Sequence, residues 1–533
     1  MAEERRPHPV ARREHEPWAY AACALVTVAG AWLFLRYPFQ PMQDLGHHMA
    51  IAAITSDYAS TTSIYPPLYE APNPLQGNSL LYTLAGPLGR ALGVTEAVRA
   101  ILALAIASLT PLTAVALRRS GRSTWPALLA PALAHSLVFV AGFANLVVAT
   151  PLVLLAVVAQ EALLERPNAR RTAALAAVLV ALFLAHVHAF LWTGALLALR
   201  TIVVGLDGLG AWLAARHAEG RPAAWRQLLL CALAAAPSLA VFARWYGKTF
   251  GEGRAEGGVL TATGSLANGF GASFRTLAES MRDLPGFVFE LTQDDADTRF
   301  FVALAIFVAA CAFVAPRGRR RSQVLPAAFA LTFGSYFFLP EGLQGHDIVA
   351  SRQPALAMLF LPALVAVPPA SVASLRRRAM VAGLLALVGY HFVTWARTLQ
   401  DFHEQEAAGL EEVLRAAPPR LRLHYVKSDP SSRYFAWRPF WHVEKFYMSM
   451  KLGQTADTPA VLSTGALRAR AGVDMHRIVD HSDRWPMNAE LWLAFDLVLL
   501  RRWMPSPELR AEVERHADLV AKRGDWELWR TRR

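Results

Sequence analysis

Residues 95–122 read TEAVRAILALAIASLTPLTAVALRRSGR. From Ala100 to Leu117 no side chain is charged, and then Arg118, Arg119 and Arg122 follow within five residues. Crossing about 30 Å of hydrocarbon takes about 20 mostly apolar residues in a helix. A helix is favoured there because it pairs every backbone N–H and C=O within the segment. The run 95–117 fits that length, and the arginines mark where it leaves the membrane.

The same unit recurs along the chain. Apolar runs of similar length lie near 17–36, 125–142, 145–164, 171–186, 188–206, 227–245, 298–316, 323–340, 354–374 and 379–396. The fold class expected is an α-helical polytopic membrane protein of about 11 transmembrane helices. The chain has 533 residues, of which 18% are charged, against about 25% in ordinary soluble domains. The first 396 residues hold nearly all the long apolar runs, and 397–533 is left for one modest soluble core.

The arginines fix an orientation. They cluster as Arg118, Arg119 and Arg122; Arg166, Arg170 and Arg171; Arg216, Arg221 and Arg226; Arg317, Arg319, Arg320 and Arg321; and Arg376, Arg377 and Arg378. These clusters fall at every alternate crossing, and the short loops between them carry almost no Lys or Arg. Positive charge is retained in the cytoplasm. The N-terminus is therefore expected inside and the C-terminal domain outside. The net charge of +12 is a topology signal and excludes a nucleic-acid role. Arg5, Arg6, Arg12 and Arg13 precede the first run, which lacks a small-residue cleavage site and reads as a retained signal anchor. Cys23, Cys231 and Cys311 lie in apolar runs, so no disulfide framework is expected. The bias toward Ala, Leu and Arg points to a GC-rich bacterial genome, and the expected location is the bacterial inner membrane.

The expected organisation is a cytoplasmic tail (1–16), a transmembrane domain (17–396) with long outer loops at 37–94 and 246–297, and an extracytoplasmic domain (397–533). In the first loop, interfacial helices are expected near 43–58 and 79–91. The second is rich in glycine and reads as a flap or a plain linker. In the tail, strand-like runs occur at 421–427, 460–463, 496–501 and 526–530. Leu509, Val513 and Val520 recur at helical spacing. The tail is expected to be a small C-terminal α/β soluble domain.

Ionisable groups at membrane depth are costly and are functional candidates by default. Asp44, His47 and His48 follow the first span, and Asp44 and His48 share a helical face. His186 and His188 end the fifth span, and His346, Asp347 and Arg352 precede the tenth. All are expected at the outer interface. A carboxylate there can take a proton from an attacking hydroxyl, and an arginine can hold a phosphate. Asp with His is also a ligand set for a divalent metal ion, the one candidate cofactor. The bland alternatives are a helix cap or local ion pair at Asp44, backbone-bonded histidines at 186 and 188, and a snorkelling Arg352. Walker, dinucleotide and HExxH motifs are absent from the sequence. In the tail, Trp437 and Trp441 lie in RYFAWRPFWH (433–442), where aromatic rings suit either acceptor binding or packing against the membrane domain.

The sequence resembles the GT-C superfamily of polytopic membrane glycosyltransferases. The features that carry the resemblance are Asp44 in QDLGHH after the first span, Tyr65-Pro-Pro67, Asn78 and Tyr82 before the second span, and the turn Gly142-Phe-Ala-Asn145. His186 and His188 follow, with the ending Asp496-Leu-Val-Leu-Leu500 and Trp526-Glu-Leu-Trp529. Members commonly carry two acids in the first outer loop, whereas here His47 and His48 stand where a second would be. The resemblance implies transfer of a hexose or pentose from a polyprenyl-phosphate donor to a glycan, lipid or protein acceptor outside the cytoplasm. It implies Asp44 as base or metal ligand, and Arg352 with His346 at the donor phosphate. His47, His48, His186, His188 and Asp347 would form a further polar or metal site. Two alternatives stand beside it: a non-catalytic protein on the same scaffold, and a transporter or flippase of lipid-linked sugars, which would show midspan charges and an internal repeat.

Overall fold

The structure is a computed structural model that describes residues 16–215, 221–248, 272–314, 322–343, 349–368, 375–427, 429–455, 467–470, 492, 494–501 and 507–532. The chain opens with helix α1 (Pro17–Arg36), passes two shorter helices, α2 (Leu45–Asp57) and α3 (Leu80–Leu92), and enters α4 (Val94–Arg119). Then come α5 (Ala144–Glu165), α6 (Ala169–Ala185), α7 (Val187–Ala215) and α8 (Arg221–Tyr246). The helical body closes with α9 (Leu277–Val288), α10 (Ala296–Val314), α11 (Val324–Ser335) and α12 (Leu375–Gln405).

Among the described residues, seven helices are long and apolar enough to cross a membrane: α1, α4, α5, α7, α8, α10 and α12. Their outward faces carry large apolar side chains. Leu104 is 70% exposed and Phe313 90%. In water such faces would drive association, whereas lipid tails solvate them at no cost. The chain is a multi-pass membrane protein. Its spans pack in sequence, α1 on α4, α4 on α5, α5 on α6 and α6 on α8.

The other expected spans are shorter or broken, and proline explains much of this. The run 125–142 splits into a 3-10 turn (Trp125–Leu129) and two short helices, Ala130–Ala134 and Leu137–Val140. Pro126 and Pro131 each lack the N–H that would continue a helix. The run 354–374 likewise begins as a 3-10 turn (Ala350–Arg352) with helix Gln353–Met358, then a 3-10 turn (Leu361–Leu364) around Pro362. Irregular backbone at membrane depth is tolerated where protein covers it, and residues 125–142 are buried almost throughout.

In the tail, α13 (Leu410–Ala416), α14 (Lys445–Lys451) and α15 (Pro507–His516) accompany a five-stranded sheet. Its strands are β1 (Arg422–Tyr425), β2 (Gln454–Thr455), β3 (Leu497–Arg501), β4 (Ala517–Arg523) and β5 (Trp526–Thr531). The spatial order is β2-β1-β3-β5-β4, with β1 parallel to β2 and β3 and the other pairs antiparallel. Every residue of β3 is buried, as expected for a central strand covered on both faces. Val520 lies in β4, so the helical periodicity expected from Leu509 and Val513 ends at His516. The expected strand at 460–463 lies outside the described residues.

The segment between α1 and α4 is clamped between the helical body and the tail domain. Tyr65 donates from its hydroxyl to the Gly453 carbonyl at 3.0 Å, Arg420 pairs with Asp57 at 3.0 Å, and the Thr95 and Ser449 hydroxyls bond at 2.8 Å. Helix α2 is thus no surface helix: α3 packs on it from one direction and α14 from another. Helix α3 keeps Leu84, Leu88 and Leu92 exposed and fits the interfacial expectation better.

Candidate active site

Asp44 stands immediately before α2 at the N-cap position, but its side chain caps nothing. Its carboxylate turns toward the tail domain, where Oδ1 lies 3.6 Å from Nε2 of His442. The helix-cap alternative is therefore wrong. The backbone around Asp44 is pinned by the turn after the broken helix. Asp44 N–H donates to the Ala141 carbonyl at 3.1 Å, and Gln43 N–H to Val140 at 2.9 Å. Gly142 has φ +83°, and a Cβ there would sit 2.3 Å from the Asp44 nitrogen. Only glycine allows this approach. Gly46 does the same on the tail side, where a Cβ would fall 2.0 Å from the His442 carbonyl oxygen.

His442 centres a short chain of polar groups. Its Nε2 is 2.9 Å from Nε2 of His47, its Nδ1 is 3.2 Å from the Lys445 ammonium, and Lys445 in turn is 3.0 Å from Glu444 Oε1. Lys445 and Glu444 are buried. Burial, followed by Lys445, His47 and Lys427, holds the His442 imidazole well below its ordinary range, so it is neutral. Trp441 is half-buried beside it, with Lys427 at 5.3 Å and the Arg438 guanidinium at 5.0 Å from its ring centre. Trp437 packs, partly buried, on the hydrophobic core.

His48 points elsewhere on α2. Its Nδ1 bonds the Tyr82 hydroxyl at 2.7 Å, and Asn145 Nδ2 donates to the same oxygen at 3.1 Å. Asn145 Nδ2 also donates to the Asn78 carbonyl at 3.0 Å, while Asn78 Oδ1 accepts from Val187 N–H at 3.0 Å. Asn78 has φ +64°, a left-handed conformation that Asn tolerates. Through these bonds the segment between α1 and α4 is tied to the corner that carries His186 and His188. Burial pushes His48 down to about 4, with a backbone hydrogen bond to Gly142 opposing it.

His186 forms the corner between α6 and α7, and its Nδ1 accepts the Ala189 N–H at 3.3 Å. His188 accepts through Nε2 from the Gln353 amide at 3.2 Å. Gln353 adjoins Arg352, whose guanidinium carbon lies 4.9 Å from the ring centre of Phe143. Phe143 is the residue after Gly142, so Arg352 and Asp44 flank one turn. Arg352 is pushed down to about 10 by burial, with Glu341 opposing the shift, and it stays a cation at neutral pH. Its Nε is buried without a hydrogen-bond partner among the described residues, as are Asn145 Oδ1 and Gln353 Oε1. Buried polar atoms nearly always have partners. Three open ones around one turn suit a polar ligand. His346 and Asp347 lie outside the described residues.

Three sequence segments expected at one level, those of Asp44, His186 and Arg352, thus converge around Gly142–Phe143. Sequence reasoning missed His442, Lys445 and Glu444. The stretch 433–442 stands out for its aromatic rings, and HVEK (442–445) carries no spacing that marks it as part of a site.

A divalent metal does not fit the Asp44–His47–His442 cluster. A metal-bound histidine donates its second ring N–H to an acceptor. His442 Nδ1 faces an ammonium, which can only donate. Among the described residues, no three His, Cys, Asp or Glu side chains form a group able to hold a metal ion.

No protein-family model matches the chain, and no curated protein matches it in sequence. Solved structures do. ArnT from Cupriavidus metallidurans bound to undecaprenyl phosphate superposes with a TM-score of 0.54 at 12% identity, over 96% of this chain and 97% of that one. The same protein in the apo state gives 0.55 at 13% identity with the same coverage. At that identity the likeness speaks for the backbone alone, and it spans membrane and tail domains together: the chain has the fold of ArnT.

Proposed function

We propose that the protein moves a sugar from a polyprenyl-phosphate donor to an acceptor outside the cytoplasm, in the bacterial inner membrane. What supports this is that the Asp44 backbone packs on Gly142 and the Arg352 guanidinium lies over Phe143 of the same turn, in a fold shared with a protein that binds undecaprenyl phosphate. The arginine clusters support an N-terminus in the cytoplasm and a tail domain outside.

The donor's prenyl chain would lie among apolar helices and present its phosphate to Arg352. The acceptor hydroxyl attacks the anomeric carbon, a new C–O bond forms, and the bond to the phosphate oxygen breaks. The electron pair leaves on the lipid phosphate, whose growing charge Arg352 stabilises. The hydroxyl proton passes to Asp44, which is partly exposed and able to meet it. No acid is required for a phosphate leaving group, so one carboxylate and one cation suffice. Trp441, framed by Lys427 and Arg438 next to His442, is the better candidate for acceptor contact, and Trp437 packs in the core.

The test uses purified full-length protein supplied with undecaprenyl-phosphate-linked sugars, followed for transfer or slow hydrolysis. Asp44→Asn is expected to reduce turnover by about 100-fold or more while thermal unfolding is unchanged. Full turnover in that variant would eliminate Asp44 as base. No turnover by the wild-type chain on any such donor would favour a non-catalytic or transport role.

A further inference from the structure

We infer that Lys445 is a positioning residue that fixes the tautomers of His442 and His47 beside Asp44, so that the soluble domain builds part of the active site. The inference rests on Asp44 being the catalytic base. Lys445 is fully buried, its Nζ 3.0 Å from Glu444 Oε1 and 3.2 Å from His442 Nδ1, and Glu444 is 2% exposed. A buried lysine and a buried carboxylate in contact hold each other ionised, because either one alone would be an uncompensated charge. An ammonium has three N–H donors and no acceptor. Its bond to His442 therefore has one polarity: Lys445 donates and Nδ1 accepts.

The consequence travels along the chain. A neutral imidazole that accepts at Nδ1 carries its proton on Nε2. That Nε2–H faces His47 Nε2 at 2.9 Å and Asp44 Oδ1 at 3.6 Å. Two neutral imidazoles in one hydrogen bond need one donor and one acceptor, so His47 accepts at Nε2 and keeps its proton on Nδ1. Every bond in the order Glu444, Lys445, His442, His47 is set by the single member that cannot reverse. Asp44 then lies beside a ring nitrogen that carries a proton. With the opposite tautomer it would face a lone pair. For stability alone a buried ion pair is a poor choice, since apolar residues of the same volume often serve as well.

The experiment uses full-length protein with 15N-labelled histidine in detergent micelles, with the His442 signals assigned by their loss in His442→Gln. Wild-type His442 is expected as the Nε2–H tautomer. Glu444→Gln/Lys445→Met, which removes both charges together, is expected to shift it toward Nδ1–H. An Nδ1–H tautomer in the wild type, or no change in the double variant, overturns the inference. A kinetic arm follows hydrolysis of an undecaprenyl-phosphate-linked sugar. Glu444→Gln/Lys445→Met should slow it by at least about tenfold. In a His442→Gln background, where an amide N–H replaces Nε2–H and no tautomer exists to choose, the same pair should change the rate by less than about twofold. Equal losses in both backgrounds would assign Lys445 a purely structural role. Undiminished turnover in Asp44→Asn would instead remove the base and leave the tautomer result standing, so the two failures are distinguishable.

Discussion

The two ends of the helical bundle gather polar groups in the same way and finish differently. At the end away from the tail domain, Glu16 is buried just before α1. Its carboxylate accepts from Ser123 Oγ at 3.0 Å, Thr124 N–H at 2.9 Å and Thr124 Oγ1 at 2.8 Å, and pairs with Arg377 at 3.2 Å. At the tail-domain end, Asp44, His48, His188 and Arg352 converge from equally distant segments, yet Arg352 Nε, Asn145 Oδ1 and Gln353 Oε1 find no partner among the described residues. A carboxylate saturated by its neighbours, as Glu16 is, has no capacity left for a ligand and acts as a fastener. A cluster with open donors and acceptors has been held apart for something that arrives later. The distinction lies in satisfaction, since both clusters contain a carboxylate, an arginine and hydroxyl or amide groups.

Removing groups from each end should break the comparison along that line. The largest effect is expected for Arg352→Ala, which should cut transfer from a polyprenyl-phosphate sugar by roughly 100-fold. Arg352→Lys should recover only part, because a point charge replaces a fork of donors. Thermal unfolding of the alanine variant should be nearly unchanged, and a large fall in melting temperature would place Arg352 with the fasteners. Gly142→Ala forces a side chain onto the Asp44 backbone and into a left-handed conformation. It should cost about 1–3 kcal/mol of stability and lower turnover as well, because the base moves. Wild-type turnover in that variant would show that the turn does not position Asp44. Glu16→Ala is the reverse case. It should cost about 1–3 kcal/mol of stability and leave turnover per folded molecule unchanged. Tyr82→Phe, which removes the hydroxyl between His48 and Asn145, should cost about 1 kcal/mol.

A further effect is on pH. His48 is held near 4 in the folded chain against 6.5 for a free imidazole. Between those values the unfolded chain binds the extra proton and the folded one does not. Stability from this residue is therefore intact above about pH 6.5 and falls as pH drops toward 4. His48→Gln should flatten that slope in unfolding measured against pH, and an unaltered slope would show that His48 is charged in the fold.

The helical architecture and the convergence at the tail-domain end were legible in the sequence for one physical reason. A bilayer sorts loops to two levels, so Asp44, His186, His188 and Arg352 had to lie near the same plane wherever their helices packed. What packing alone decides was not legible. The docking of the tail depends on Gly46 giving way to the His442 carbonyl, and no periodicity announces such a contact. His442 and Lys445 were therefore missed. The burial of α2 belongs to the same class, because a helix without a separate apolar stripe carries no sign of which partners cover it. The broken segments are different. Pro126, Pro131, Pro354 and Pro362 stand in plain view, and their cost to a continuous helix is known. Apolar run length outweighed them in the expectation of eleven regular spans. Val520 was assigned to a helix on three residues of spacing, too short a run to separate a helix end from the strand that follows.

The central claim is that Asp44 and Arg352 face one lipid phosphate. An experimental structure of the full-length protein with undecaprenyl phosphate bound tests it most directly. The phosphate is expected within hydrogen-bond distance of the Arg352 guanidinium, with the Asp44 carboxylate opening onto the same cavity. A lipid phosphate seated elsewhere while Arg352 stays buried against Phe143, or an Asp44 side chain turned out to bulk solvent, would contradict it.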